Sequence, residues 1–248
     1  MSAPRLLVSV RSPEEAMAAV TGGAAIIDIK EPLNGPLGMA PADVCCAIAD
    51  SLQQLPSSPP LSLALGELRD WQQRPSGTAS VDNSLDFTAS LPGLRWLKCG
   101  LAGYRENPNW ISSWRQFRDS LPARSGWVAV AYADAERAAA PDISEVLQAA
   151  LEIRAAALLI DTFVKDDTNL FDWLSPDELQ GICVETQAAR VPLALAGRLT
   201  LEDVPQLLRI GPEIIAVRGA ACVGNQRVAC VSTERVRTLV ERLAGPTF

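Results

Sequence analysis

The chain has 248 residues, of which 48% are hydrophobic and 21% charged, so it contains ample apolar material for a folded core. Its formal net charge is −7, and no stripe of basic residues interleaved with aromatic residues occurs, which argues against a nucleic-acid-binding protein. The first residues lead directly into an apolar strand, and no apolar run approaches the roughly 18 residues of a membrane-spanning helix. We therefore expect a cytoplasmic protein with no signal peptide and no membrane partner.

The chain contains no histidine and six cysteines, none of them in a Cys-X-X-Cys pair. We expect the cysteines to be small buried hydrophobic residues, and we predict neither a metal site nor a cofactor. The absence of histidine excludes Ser-His-Asp and Cys-His catalysis. Acid–base chemistry must therefore use Asp, Glu, Lys, Tyr or Cys side chains.

The first half of the chain alternates apolar segments with helical patterns. A strand over residues 5–10 precedes a helix that has Ser12 as its cap, Pro13 at its first position and acidic residues in its first turn. A second strand, 24–29, ends just before Lys30, and two glycines and two prolines in residues 31–38 indicate a structured loop. We predict a helix over 41–55, strands over 61–66 and 94–99, a poorly patterned segment over 69–84 and a short helix over 85–90.

The second half repeats this alternation. Trp110, Trp114 and Phe117 recur at apolar spacings in a predicted helix over 109–121, where burial in the core and a subunit contact of a homo-oligomer both remain open. Ser175 and Pro176 repeat the helix-start pattern of Ser12 and Pro13. We predict strands over 126–132, 156–160, 191–196 and 213–217, and helices over 142–154, 176–189, 201–210 and 233–243.

Eight strands that alternate with helical segments predict a (β/α)₈ TIM barrel that forms a single domain over residues 1–248. The strands are nearly continuous apolar runs, as is typical of buried parallel strands. The chain length also matches that of a barrel. A doubly wound open sheet is the competing fold, but the glycine-rich fingerprint that a dinucleotide-binding fold carries after its first strand is missing.

The lysines are few and lie where a barrel enzyme places its chemistry. Lys30, Lys98 and Lys165 are the only lysines, and each falls at or just beyond the carboxyl end of a predicted strand. Asp28 shares a strand face with Lys30, and Asp161 follows strand 156–160. Three ammonium groups in one cavity would lower the pKa of at least one of them, and a neutral lysine forms an imine with an aldehyde or ketone. The aspartates would pair with the lysines that stay charged, or transfer protons.

The loops after the seventh and eighth predicted strands suggest a phosphate site. Such loops bind phosphate in many barrels. In this chain they contain small residues that allow backbone N–H groups to approach an anion, beside two arginines: Gly197, Arg198, Arg218, Gly219 and Ala220. A phosphorylated aldehyde or related sugar phosphate is the expected substrate.

Several motifs resemble those of the (5-formylfuran-3-yl)methyl phosphate synthase family of methanofuran biosynthesis. They are IIDIKEPLNGPLG at 26–38, KCGL around Lys98, YADAER at 132–137, IDTFVKD with LFD between 160 and 172, and LALAG with AVRGAAC ending at Cys222. The resemblance implies a TIM-barrel lyase that condenses two molecules of glyceraldehyde 3-phosphate, with loss of phosphate and water. It implies that Lys30 forms the Schiff base, that Lys98 transfers protons, and that Asp28, Asp161 and Lys165 support them.

Two departures from the family pattern bear on the substrate. Archaeal members carry a lysine in the segment that matches 132–137, where this chain has Glu136 and Arg137, and another near the third strand, where this chain has none. A GC-rich genome is a second explanation of the scarcity of lysine. Two alternatives therefore stay open: a different class I aldolase-like lyase acting on a sugar phosphate, and a barrel that binds a phosphorylated metabolite without turnover.

Overall fold

Eight parallel strands close into a barrel in the chain order β1 to β8. The computed structural model describes residues 3–72, 85–121 and 125–245. Each strand pairs with its neighbours in sequence, and β8 returns to pair with β1, where Leu7 lies opposite Ala216. The predicted (β/α)₈ TIM barrel is therefore confirmed, and the open doubly wound sheet is excluded.

The strands fall where the apolar runs indicated, with small differences at their ends. β2 and β7 are shorter than predicted, whereas β3 continues to Glu67 through an irregular register in which Gly66 adopts a φ of 80°. This left-handed conformation favours glycine. The strands are β1 Arg5–Val10, β2 Ile26–Ile29, β3 Leu61–Glu67, β4 Leu94–Gly100, β5 Gly126–Tyr132, β6 Ala157–Asp161, β7 Leu193–Leu195 and β8 Ile214–Val217.

The long helices also match the predicted ones, and two short helices were not predicted. The α-helices are Pro13–Thr21, Ala42–Gln53, Leu68–Gln72, Phe87–Ser90, Trp110–Asp119, Ala135–Ala138, Ile143–Glu152, Pro176–Ala189, Val204–Ile210 and Thr233–Ala244. Turns of 3₁₀-helix cover Pro32–Asn34, Leu170–Asp172, Gly219–Ala221 and Val223–Asn225. The helix predicted from residue 201 begins later because the Asp203 carboxylate accepts hydrogen bonds from the backbone and hydroxyl of Thr200 and holds a turn there. Of the segment predicted to be irregular, residues 73–84 lie outside the described residues.

Both Ser-Pro helix starts form as the sequence predicts. The Ser12 hydroxyl accepts from the backbone N–H of Glu15, and the Ser175 hydroxyl accepts from that of Glu178. Glu178 also accepts from the backbone N–H of Ser175, which completes a capping box. These caps fix the residues at which the two helices begin.

The core has two layers, one outside the strands and one inside the barrel. The outer layer packs the strands against the helices and includes Trp114 and Phe117, which contact the rings of Trp127 and Trp71. The aromatic face of helix Trp110–Asp119 is therefore core within this chain, and the homo-oligomer stays a prediction. The inner layer contains many small side chains, among them Ala64, Ala157, Ala194 and Ala216. Small interior side chains leave open space along the barrel axis.

The described residues also show the burial of the cysteines and bear on membrane-spanning helices and metal-ligand clusters. All six cysteines are free thiols; Cys46 is partly buried and Cys230 is exposed, so the expected burial holds for the other four. Within residues 3–72, 85–121 and 125–245, no helix is both long and apolar enough to cross a membrane. In the same ranges, no three Cys, Asp or Glu side chains gather as metal ligands would.

Candidate active site

A cavity of about 630 Å³ runs through the barrel interior and reaches the loops that follow the carboxyl ends of the strands. Lys30, Lys98 and Lys165 all line it, together with Asp28 and Asp161. Lys98 lies in β4, Lys30 directly follows β2, and Lys165 lies four residues beyond the end of β6. The parallel barrel thus brings together groups that are distant in sequence. The five predicted catalytic side chains therefore share one cavity.

Asp28 is paired with Lys98. Nζ of Lys98 lies 2.5 Å from Oδ1 of Asp28, and both side chains are almost fully buried. Oδ2 of Asp28 accepts a hydrogen bond of 2.9 Å from the hydroxyl of Ser9, and Nζ of Lys98 also lies 3.4 Å from the hydroxyl of Ser62. Neither serine was singled out in the sequence, although each is a polar residue within an apolar strand. The pair is thus held from β1, β2, β3 and β4 at once.

Lys165 is paired with Asp161. Its Nζ lies 2.7 Å from Oδ1 of Asp161 and 2.6 Å from the carbonyl oxygen of Thr162. The loop that carries Lys165 is anchored by Asp134, whose carboxylate accepts from the backbone N–H groups of Phe163 and Val164. Burial by itself would raise the pKa of Asp161, but the ammonium groups of Lys165 and Lys30 outweigh it and lower that pKa. The Asp161 carboxylate therefore interacts electrostatically with two lysines, and it contacts one of them, Lys165.

Lys30 is the lysine without a carboxylate in contact. Its side chain is buried, and its Nζ donates to the carbonyl oxygen of Pro36 at 3.1 Å. No Asp or Glu oxygen in the described residues lies within 4.0 Å of this amine. Its pKa is lowered to about 8, chiefly because burial disfavours the charged form; Asp161 and Asp28 oppose this shift, and Lys165 and Lys98 add to it. Burial, more than the repulsion expected from the sequence, therefore lowers the pKa of Lys30.

The predicted phosphate-binding residues also meet at the cavity mouth. Gly197 has a φ of 107°, and a Cβ there would lie 3.0 Å from Cγ2 of Thr162, so this turn favours glycine on both counts. Gly219 and Ala220 begin a 3₁₀ turn, where the first N–H groups have no partner within the turn. Arg198 is half exposed, and its Nη1 donates to Asp167 at 3.0 Å.

Arg218 is committed to partners within the protein. Its Nη1 and Nη2 atoms form a buried ion pair with Glu15, and three further bonds go to the carbonyl oxygens of Ser9, Arg227 and Ala229. A guanidinium has five N–H donors, and these five bonds use all of them. In this arrangement Arg218 fixes the segment 227–229 above the cavity, and its direct role toward phosphate stays a prediction.

Arg227 lines the same cavity and was not identified from the sequence. It is partly buried, and its Nη2 donates to the carbonyl oxygens of Pro32 and Gly35 at 2.8 and 3.1 Å. It follows β8 by ten residues, so strand-end counting does not find it. The sequence signal that could have identified Arg227 is that it is a basic residue in the segment after a predicted phosphate-binding loop.

A further buried polar pair, Glu67 and Tyr132, lies at the carboxyl ends of β3 and β5. The Tyr132 hydroxyl donates to Oε1 of Glu67 at 2.6 Å, and the backbone N–H of Ala102 donates to Oε2 at 2.9 Å. Burial raises the pKa of Glu67, although both hydrogen bonds oppose the shift. Gly100 leaves the space for this pair, because a Cβ there would overlap both Glu67 and Tyr132.

Solved structures share the architecture of this chain. Phosphoribosyl anthranilate isomerase from Thermotoga maritima aligns over 98% of this chain and all of its own, with a TM-score of 0.62 and 15% identity. A 3-hexulose-6-phosphate synthase aligns over 95% of this chain and 99% of its own, with a TM-score of 0.52 and 16% identity. At such identities the likeness concerns the barrel fold alone.

Sequence relatives are more specific. The chain is 33% identical to (5-formylfuran-3-yl)methyl phosphate synthase of Methanopyrus kandleri, over 97% of this chain and 99% of that protein. The enzyme of the same name from Methanothermobacter thermautotrophicus is 32% identical, over 96% of this chain and 98% of its own. A family model described as 4-HFC-P synthase matches residues 6–240. The chain therefore belongs to the 4-HFC-P synthase family of enzymes, as its motifs indicated.

Proposed function

We propose that the protein condenses two molecules of glyceraldehyde 3-phosphate to (5-formylfuran-3-yl)methyl phosphate through an imine on Lys30, as a step of methanofuran-type cofactor synthesis. The atoms balance when one inorganic phosphate and two water molecules leave. The family supports the product, since that compound is in the name of relatives that cover nearly the whole chain. The proposed reaction makes the protein a lyase of class I aldolase-like chemistry.

The contrast among the lysines carries this proposal. Lys98 and Lys165 each contact a carboxylate, whereas Lys30 is buried, contacts a carbonyl oxygen and has a pKa of about 8. A neutral amine is required for attack on an aldehyde, and about a tenth of Lys30 would be neutral at pH 7. Arginine would stay protonated and could not replace it.

The imine step uses groups that surround Lys30. The Lys30 nitrogen bonds to the aldehyde carbon, and the carbonyl oxygen leaves as water after it has gained two protons. Lys98 pairs with Asp28 and lines the same cavity. From there it would deliver or accept protons during this step and the later eliminations. Asp161 pairs with Lys165, and its negative charge near Lys30 would favour the protonated imine, the iminium ion. The loops that contain Gly197, Arg198, Gly219 and Ala220 would hold phosphate.

Reductive trapping tests this proposal directly. The protein is incubated with glyceraldehyde 3-phosphate and borohydride, and the modified peptide is identified by mass. We expect one reduced adduct on Lys30, and its absence would refute the imine. Lys30→Arg should abolish turnover with the fold intact, whereas Lys98→Ala should allow trapping with little product.

Product absorbance separates the remaining alternatives. A furan aldehyde absorbs in the near ultraviolet, whereas the product of a simple aldol reaction does not. Trapping with no furan would indicate another aldolase-like lyase. Binding with neither trapping nor product would indicate a barrel that binds a phosphorylated metabolite without turnover.

A further inference from the structure

The charged groups at the cavity mouth differ in whether they have a counter-ion. Among the arginines there, Arg218 pairs with Glu15, and Arg198 pairs with Asp167. Arg227 has no Asp or Glu oxygen within 4.0 Å in the described part of the chain. Its recorded bonds go to two carbonyl oxygens, and both come from Nη2. The three N–H donors on Nε and Nη1 therefore have no acceptor among residues 3–72, 85–121 and 125–245.

A partly buried guanidinium without a carboxylate is costly unless an anion joins it. Burial of an unpaired charge is unfavourable, and a guanidinium binds phosphate oxygens well because its donors lie in one plane. Arg227 lines the cavity, so the missing anion can come from a ligand. The two bonds from Nη2 hold the guanidinium in place before any ligand arrives.

Arg227 lies near both Lys30, the proposed nucleophile, and the predicted phosphate-binding loop. Arg227 contacts the carbonyl oxygen of Gly35, and Lys30 contacts that of Pro36, the next residue. Consecutive Cα atoms are about 3.8 Å apart, so Nη2 of Arg227 and Nζ of Lys30 lie within roughly 10 Å. A triose phosphate attached to Lys30 spans such a gap. On its other side, the backbone of Arg227 lies beside Gly219, at the start of the predicted phosphate turn.

We propose that Arg227 binds the phosphate group of the aldehyde that forms the imine with Lys30. This inference rests on the proposed function and adds to it the residue that selects a phosphorylated substrate. Arg218 acts through it as a positioning residue, because the Arg218 guanidinium holds the carbonyl oxygens of Arg227 and Ala229. The phosphate contact thus comes from the segment beyond β8 and not from the arginine at the end of that strand.

The test compares a phosphorylated aldehyde with one that lacks phosphate. Trapping on Lys30 is measured at increasing glyceraldehyde 3-phosphate and at increasing glyceraldehyde, in the wild type and in Arg227→Gln. We expect the half-saturating concentration of the phosphate ester to rise at least tenfold, in line with the loss of a charged hydrogen bond. Trapping of glyceraldehyde should be unchanged. Arg227→Lys should restore part of the affinity for the ester.

Control variants and a second readout keep the outcomes distinct. Arg118→Gln removes the same charge from an outer helix, where Arg118 pairs with Asp119, and should change neither substrate. If Arg227→Gln weakens trapping of both aldehydes equally, Arg227 only supports the loop, and the inference is overturned. If the wild type traps neither aldehyde, the imine fails, and the rise in melting temperature with inorganic phosphate decides the inference. A rise in the wild type that is lost in Arg227→Gln supports it, and no difference between the two proteins overturns it.

Discussion

Nζ of Lys98 lies 2.5 Å from Oδ1 of Asp28, so the carboxylate two residues before Lys30 belongs to a different lysine. From the sequence, Asp28 was expected to lie on the same strand face as Lys30 and to pair with a lysine that stays charged or to transfer protons. The barrel instead joins Asp28 to β4 and leaves Lys30 with a carbonyl oxygen as its contact. This division of partners separates Lys30, the proposed nucleophile, from two lysine–aspartate pairs, and it leads, together with the buried Glu67–Tyr132 pair, to four predictions.

The rate of imine formation should rise with pH around the pKa of Lys30. That pKa is about 8, so the neutral fraction grows as pH passes through this value and levels off above it. The initial rate of adduct formation on Lys30, trapped with cyanoborohydride and quantified by peptide mass, measures this profile. Asp161 raises the pKa of Lys30, so Asp161→Asn should move the midpoint to lower pH. A midpoint near 10 in the wild type, or an upward shift in the variant, would contradict this origin.

Replacement of Lys30 with methionine should stabilise the fold while it abolishes imine formation. The pKa falls from 10.5 to about 8 on folding, which corresponds to a cost of roughly 3 kcal/mol when the amine is protonated in both states. The folded state releases its proton first, so the cost is complete below pH 8 and disappears as pH approaches 10.5. Urea unfolding at pH 7 should therefore show a more stable variant, and the difference should shrink at pH 10. A variant that is less stable than the wild type at pH 7 would refute the cost.

Removal of Lys98 alone should destabilise the protein strongly. Lys98→Met leaves the Asp28 carboxylate buried with the Ser9 hydroxyl as its remaining side-chain partner in the described part of the chain, and breaking a buried ion pair costs about 3–5 kcal/mol. In the double variant Asp28→Asn with Lys98→Met both charges of this pair are gone, so neither is left buried without its partner, and the loss should be smaller than the sum of the two single losses. Free energies of unfolding from urea titrations of all four proteins give the coupling. Additive losses would show that the two side chains do not interact.

Loss of the Tyr132 hydroxyl should destabilise the protein in a pH-dependent way. Tyr132→Phe leaves Glu67 with the Ala102 N–H as its recorded donor, at an expected cost of about 1–3 kcal/mol. The pKa of Glu67 is already raised by burial, and loss of this donor raises it further, so the cost is largest at neutral pH and falls as acid protonates Glu67.

The other tyrosine provides the matched control for this experiment. The Tyr104 hydroxyl bonds to the neutral side chain of Gln72, so Tyr104→Phe should give a loss that does not vary between pH 5 and pH 8. Thermal unfolding of both variants across this range checks the contrast. Equal pH dependence in the two variants would show that Glu67 is not the source.

The features that local patterns determine were predictable, whereas partner choice across the barrel was not. Apolar runs and the Ser12 and Ser175 caps depend on neighbouring residues, so the barrel and most element ends follow from them. The lysines at strand ends identified the cavity because every parallel strand ends on one face. Which carboxylate each lysine contacts depends on register between distant strands, and no local pattern encodes it.

The arginines illustrate the same limit. Arg218 lies at a strand end and was therefore a candidate for phosphate, yet its partner Glu15 is about two hundred residues away in the chain and uses much of its donor capacity. Arg227 lies in an irregular segment, and its approach to Pro32 is set by how two loops meet. Side chains that link distant loops become visible only when the fold is known.

The placement of the lysines has a practical consequence for chemical handling of the protein. Lys30 and Lys98 are buried and Lys165 is held at the cavity mouth by Asp161 and Thr162, so the outer surface carries its positive charge on arginine. Dyes or supports that react with lysine amines have no target on the outside of the barrel, and where they do react they modify side chains that line the cavity. The exposed thiol of Cys230 is the better attachment point, and a protease that cleaves after lysine would reach Lys30 and Lys98 only as the barrel opens.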